Sequence, residues 1–73
     1  MSKEALQEAQ TIMGSSSLPQ LRRLIISIDG DSIVVTGVVA SYHQKQMAQE
    51  CLKEVARKRA MRVLNRTEVR TNS

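Results

Sequence analysis

Aromatic side chains are almost missing from this sequence: Tyr42 stands alone, with no Trp and no Phe. The core must be assembled from Ile, Val, Leu, Met and Ala, and the stacking platforms on which most single-strand nucleic-acid binders lay bases are lacking. Cysteine is limited to Cys51, which excludes an intramolecular disulfide and any zinc site made of several thiolates. Glycine occurs only at 14, 30 and 37 and proline only at 19. Glycines so isolated form no phosphate-cradling loop. The longest apolar runs, Leu24 to Ile28 and Ile33 to Ala40, are broken by Ser27, Thr36 and Gly37 and fall far short of the ~20 residues that cross a bilayer. Met1 to Leu6 has neither the charged nor the apolar region of a secretory signal. With a free thiol, the expected compartment is the cytoplasm as the sequence stands, and the periplasm or envelope if the chain is a fragment of a longer exported protein.

What remains is a 73-residue chain with 41% apolar and 25% charged side chains, a globular composition long enough for one small domain over 1–73 and no more. Without staples, a domain of this size leans on idealised packing or on self-association. Ala5, Leu6, Ala9, Ile12 and Met13 recur at three- and four-residue intervals and predict a helix over 3–13, with Ser2 as N-cap, Glu4 at the positive end of the dipole and Gly14 as the stop. Ser15 to Pro19 reads as a connector. A strand is expected just beyond the proline, over 21–28, because the period changes to two, with Leu24, Ile26 and Ile28 on one side and Arg23, Ile25 and Ser27 on the other.

Asp29-Gly30-Asp31-Ser32 signals a hairpin, and an even-numbered loop is chosen because it places Ile33, Val35 and Val39 on the same face as Ile26 and Ile28. The second strand runs over 33–39. Ser41 and Gln44 form a capping box for a helix over 42–57, whose inner face carries Met47, Ala48, Cys51, Leu52, Val55 and Ala56. Alternation returns over 61–69, with Met61, Val63, Thr67 and Val69 on one side and Arg62, Leu64, Arg66 and Glu68 on the other, followed by a tail at 71–73. The expected fold is α+β: two helices on one face of a three-stranded mixed sheet, in the order αββαβ. The last strand lies parallel to the strand it joins because a helical crossover precedes it.

Three stretches in this order resemble a BON domain, a small bacterial module of envelope and stress proteins. They are Ile26 to Gly37, a strand, an acidic-glycine turn and an apolar strand ending in glycine; Val39-Ala40-Ser41 leading into a helix with Lys45 and Ala48; and Val63-Leu64-Asn65 followed by Val69. The resemblance covers residues 20 to 70 and implies the same αββαβ fold and attachment to phospholipid or to other envelope surfaces. Where that family tends to have glycine and valine between the second helix and the last strand, this chain has Arg59 and Ala60, so the helix is expected to run on or to end in a strained residue.

Charge is uneven along the chain. Residues 1–52 carry net −1 and residues 53–73 net +5, from Lys53, Arg57, Lys58, Arg59, Arg62, Arg66 and Arg70 against Glu54 and Glu68. Such a cluster attracts anionic headgroups, nucleic acid or acidic protein; equally, it complements a helix C-terminus and solvates a sheet edge. Ile25, Val34, Val38 and Leu64 are expected on the sheet face turned away from the helices, as a docking or self-association surface, although scattered surface aliphatics are normal. Gly37 on the core face signals a helix approaching closely or a bulge.

No residue set points to catalysis, a metal or a cofactor. Asp29 and Asp31 are turn residues with too few oxygens for calcium. His43 and Cys51, eight residues apart on one helix, are roughly 12 Å apart along its axis, too far to share a proton. The expected function is a non-catalytic binding or assembly module on anionic phospholipid or envelope partners, with phosphate-backbone binding to nucleic acid and purely structural homodimerisation as alternatives.

Overall fold

The computed structural model describes residues 2–71. Three helices and three strands follow in the order α1 (Ser2–Gly14), α2 (Pro19–Arg22), β1 (Ile25–Asp29), β2 (Ser32–Val39), α3 (Tyr42–Lys58) and β3 (Arg62–Val69). The sheet order is β1-β2-β3, antiparallel between β1 and β2 and parallel between β2 and β3. The αββαβ arrangement read from the sequence is therefore the fold, with a short helix added. Ser2, expected as the cap, is the first residue of α1 instead, and the last two residues of the tail lie outside the described residues.

The added helix corrects the expected first strand. Residues 21–24 are not extended: Pro19 sits in the first turn of α2, where its fixed φ suits a helix start and its missing N–H removes nothing. Leu21 and Leu24, three residues apart, are both buried, so the apolar spacing that reads as the beginning of a strand serves a helical turn and its exit. Gly14 also differs from expectation. It is the last residue of α1 and does not have a positive φ. Ser15 closes the helix instead, its N–H donating to the Thr11 and Ile12 carbonyls and its hydroxyl to Ile12 at 2.9 Å.

The hairpin register follows from its turn. Asp29 pairs with Ser32 and Ile28 with Ile33, leaving Gly30 and Asp31 as a two-residue loop. Gly30 has φ +62° and Asp31 is not left-handed, the pattern of a II′ turn with glycine first. The even loop places Ile26 opposite Val35, so both contribute to one apolar face. That face, with Leu24, Ile33 and Val39, joins Ala9 and Met13 of α1, Leu21 of α2 and Ala48, Leu52, Val55 and Ala56 of α3 in a single core. Met47 and Cys51, expected on the inner face of α3, lie at the margin of this core.

Gly37 is required by packing. Its φ is +137°, and a Cβ there would stand 2.6 Å from Leu24 Cδ2. What approaches is the residue leading into β1, rather than a helix, and the β2–β3 register continues unbroken from Ser32 to Val39 with no bulge. The exit of α3 holds the strained residue anticipated from the missing glycine. Ala60 has φ +54°, with Met61 N–H donating to Ala56 O at 2.8 Å and Ala60 N–H to Arg57 O at 3.5 Å. These two bonds form a Schellman ending with alanine where glycine is usual.

Candidate functional site

At the N-terminus of α3, Ser41 Oγ accepts from Gln44 N–H at 3.1 Å, while Gln44 Oε1 accepts from the N–H of Ala40 at 2.8 Å. The reciprocal cap fixes where the helix starts, and with it the position of Lys45 over β3. Lys45 Nζ donates to Thr67 O at 2.6 Å, Asn65 Nδ2 donates to Lys45 O at 2.8 Å, and Asn65 Oδ1 accepts from Thr67 Oγ1 at 2.6 Å and from Thr67 N–H at 3.2 Å. Because Arg62 and Arg70 N–H donate to Asp31 and Val39, the even-numbered peptide groups of β3 face β2 and the odd-numbered ones face the free edge. Thr67 thus has both outward backbone groups occupied by side chains of its own chain. The sequence reading names Lys45 and Asn65 only within a family resemblance and misses this pairing, which joins residues 22 positions apart.

Five of the seven basic residues have a carboxylate within 4.0 Å. Glu8 of α1 accepts from Lys58 and, through Oε1, from Arg59 Nε and Nη2 at 3.1 and 2.9 Å. Arg57 pairs with Glu54 at 2.7 Å, Lys53 lies 4.0 Å from Glu50, and Arg70 pairs with Glu68 at 2.7 Å. The bond from Lys58, and then that from Arg59, holds the Glu8 carboxyl below its ordinary value, and Arg70 does the same for Glu68. Of the seven cations singled out in the sequence, Arg62 and Arg66 alone have no carboxylate within 4.0 Å among the described residues. Within this set, Lys58 and Arg59 join α3 to α1 through Glu8.

Arg62 and Arg66 lie on β3 on either side of Leu64, on the sheet face turned away from the helices. Ile25 is 66% exposed there, Val38 39% and Leu64 37%. Val34 shares that face but is only 8% exposed, less open than expected for it. It sits on the central strand between Ser27 and Leu64, and neighbours on both sides shield it. The open face therefore presents Ile25, Val38 and Leu64 around a shielded Val34, with two unpaired arginines along one border.

His43, Met47 and Cys51 line one shallow groove along α3 with Gln46 and Glu50, and no hydrogen bond joins the imidazole to the thiol. Among the described residues no three side chains drawn from His, Cys, Asp and Glu come together, and no helix is long and apolar enough to cross a membrane. Tyr42, the single aromatic, is exposed at the start of α3. Comparison with family models, with curated proteins and with solved structures finds no match to this chain.

Proposed function

We propose that this chain is a non-catalytic binding and assembly module whose contact surface is the open face of its sheet. The observation that carries this is that Ile25, Val38 and Leu64 are exposed together with the two unpaired arginines on the one sheet face that no helix covers. Exposed aliphatics bordered by polar groups are the ordinary composition of a docking surface. A photo-crosslinking residue placed at position 25 or 64 in the cell should give discrete adducts, while the same residue at exposed Gln7 or Gln49 on the helices should give none. Equal yields at all four positions, or none at 25 and 64, reject the proposal.

The free charge of Arg62 and Arg66 favours a second reading, attachment to anionic phospholipid as the BON resemblance implies. Association with vesicles should then rise with phosphatidylglycerol content, fall with salt, and disappear in the Arg62→Ser/Arg66→Ser variant. Binding indifferent to lipid charge and salt rejects it. A duplex-DNA gel shift with a steep salt dependence would point instead to a phosphate backbone as the anion.

A further inference from the structure

We infer that the open sheet face is covered by a second copy of this chain, the two sheets stacked about a two-fold axis that runs along β2. The inference rests on the contact surface proposed above and adds its occupant. Strand register divides the face into rows that cross the sheet: Asp29, Ser32 and Arg62; Ser27, Val34 and Leu64; Ile25, Thr36 and Arg66. Each row is asymmetric. The first carries an acid on β1 and a base on β3, and neither Asp29 nor Arg62 has an oppositely charged partner within 4.0 Å among the described residues.

A two-fold axis parallel to the strands lays every row on itself in reverse, because it exchanges the β1 and β3 sides while keeping the level along the strand. Asp29 then meets the partner's Arg62 at two symmetric points, Leu64 meets the partner's Ser27 beside the Val34 pair, and Ile25 lies against the aliphatic stem of the partner's Arg66. The other face-to-face arrangement, with the axis across the strands and centred on the Val34 row, sets Arg62 on the partner's Arg66 twice. Charge thus favours the axis along the strands over that arrangement, and the small twist between packed sheets leaves the rows in reach. Three strands of this length bury about 1,000 Å² in total across two copies, at the low end of specific interfaces and in keeping with a transient dimer.

The test is sedimentation equilibrium of the purified chain from micromolar to millimolar concentration at low salt. The wild type should show a monomer–dimer equilibrium. Asp29→Arg alone and Arg62→Asp alone should each weaken it by about tenfold or more, since each juxtaposes like charges twice. An equimolar mixture of the two variants should return to within about threefold of wild type, since the mixed pair has both contacts attractive again. If either reversal unfolds the chain, Asp29→Asn and Arg62→Gln replace them, each weakening the dimer a few-fold with partial recovery on mixing, since the mixed pair regains one of the two contacts. A wild type that stays monomeric throughout, a dimer indifferent to these substitutions, or reversed variants that do not rescue one another overturns the inference. The crosslinks at positions 25 and 64 separate its failure from that of the contact surface. Adducts at twice the chain mass support both, adducts of another mass with a monomeric wild type overturn the second copy alone, and no adducts overturn the surface as well.

Discussion

The two faces of β2 are built from the same β-branched vocabulary and end in different states. On one side Ile33, Val35 and Val39 are fully buried beneath the helices. On the other Val34 is shielded only by its sheet neighbours, and Val38 stands exposed. Burial on the first side is a product of the helices meeting the sheet; on the second it stops at the sheet. The difference teaches that a strand can look equally apolar on both faces while only one of them is closed within the chain.

The sharpest way to break this comparison is to truncate one leucine on each side. Leu52→Ala, at a fully buried site on α3, should destabilise the fold by about 2–5 kcal/mol in urea denaturation, whereas Leu64→Ala on the open face should remove about 1 kcal/mol or less under monomeric conditions. Equal losses would mean that the open face is as closed as the covered one. Next in size is Gly37→Ala. The added Cβ meets Leu24 and the φ of +137° remains, so a loss of about 1–3 kcal/mol is expected. In a double-mutant cycle with Leu24→Ala, itself costly in the core, the coupling should recover only part of that loss. A coupling equal to the whole loss would assign the effect to the clash alone.

How far these features are legible in the sequence depends on the range of the interaction that fixes them. The register of the hairpin is legible because Asp29 to Ser32 and the alternation on either side act locally. So is the cap at Ser41 and Gln44, and the strained exit at Ala60 is anticipated from a missing glycine. The helical turn at Pro19 to Arg22 is misread because the alternation that starts at Leu24 is carried back to Leu21, three residues earlier, and a proline suits both a strand start and a first helical turn. Tertiary burial of Leu21 decides between them. The basic residues after Lys53 are visible as composition, yet Glu8, which holds two of them, lies some fifty positions earlier. Sequence distance hides that pairing, just as it hides the bond from Lys45 to Thr67.

The joint between the helical layer and the sheet offers a smaller effect of opposite sign. Ala60→Gly relieves the left-handed alanine and should stabilise the chain by about 0.5–1 kcal/mol, read as a higher urea midpoint with an unchanged slope. A loss would show that the exit of α3 is not strained. The smallest expected effect is a dependence on acid. Lys58 first, and Arg59 second, hold Glu8 below the ordinary value of 4.5, so its contribution is present in full above the unfolded-state value and disappears as pH falls through the lower folded-state value. Glu8→Gln should flatten the stability profile below about pH 4.5 relative to wild type. Profiles that remain parallel there would place the acid sensitivity elsewhere.

The side-chain bonds to Thr67 on the outer margin of β3 have a consequence for how the protein behaves when crowded. An incoming strand that tried to extend the sheet there would find the donor and acceptor of that peptide already engaged by Asn65 and Lys45, and would have to break both to continue. Ribbon-like polymerisation is hindered from within the monomer, so concentrated solutions should stay clear of fibrils.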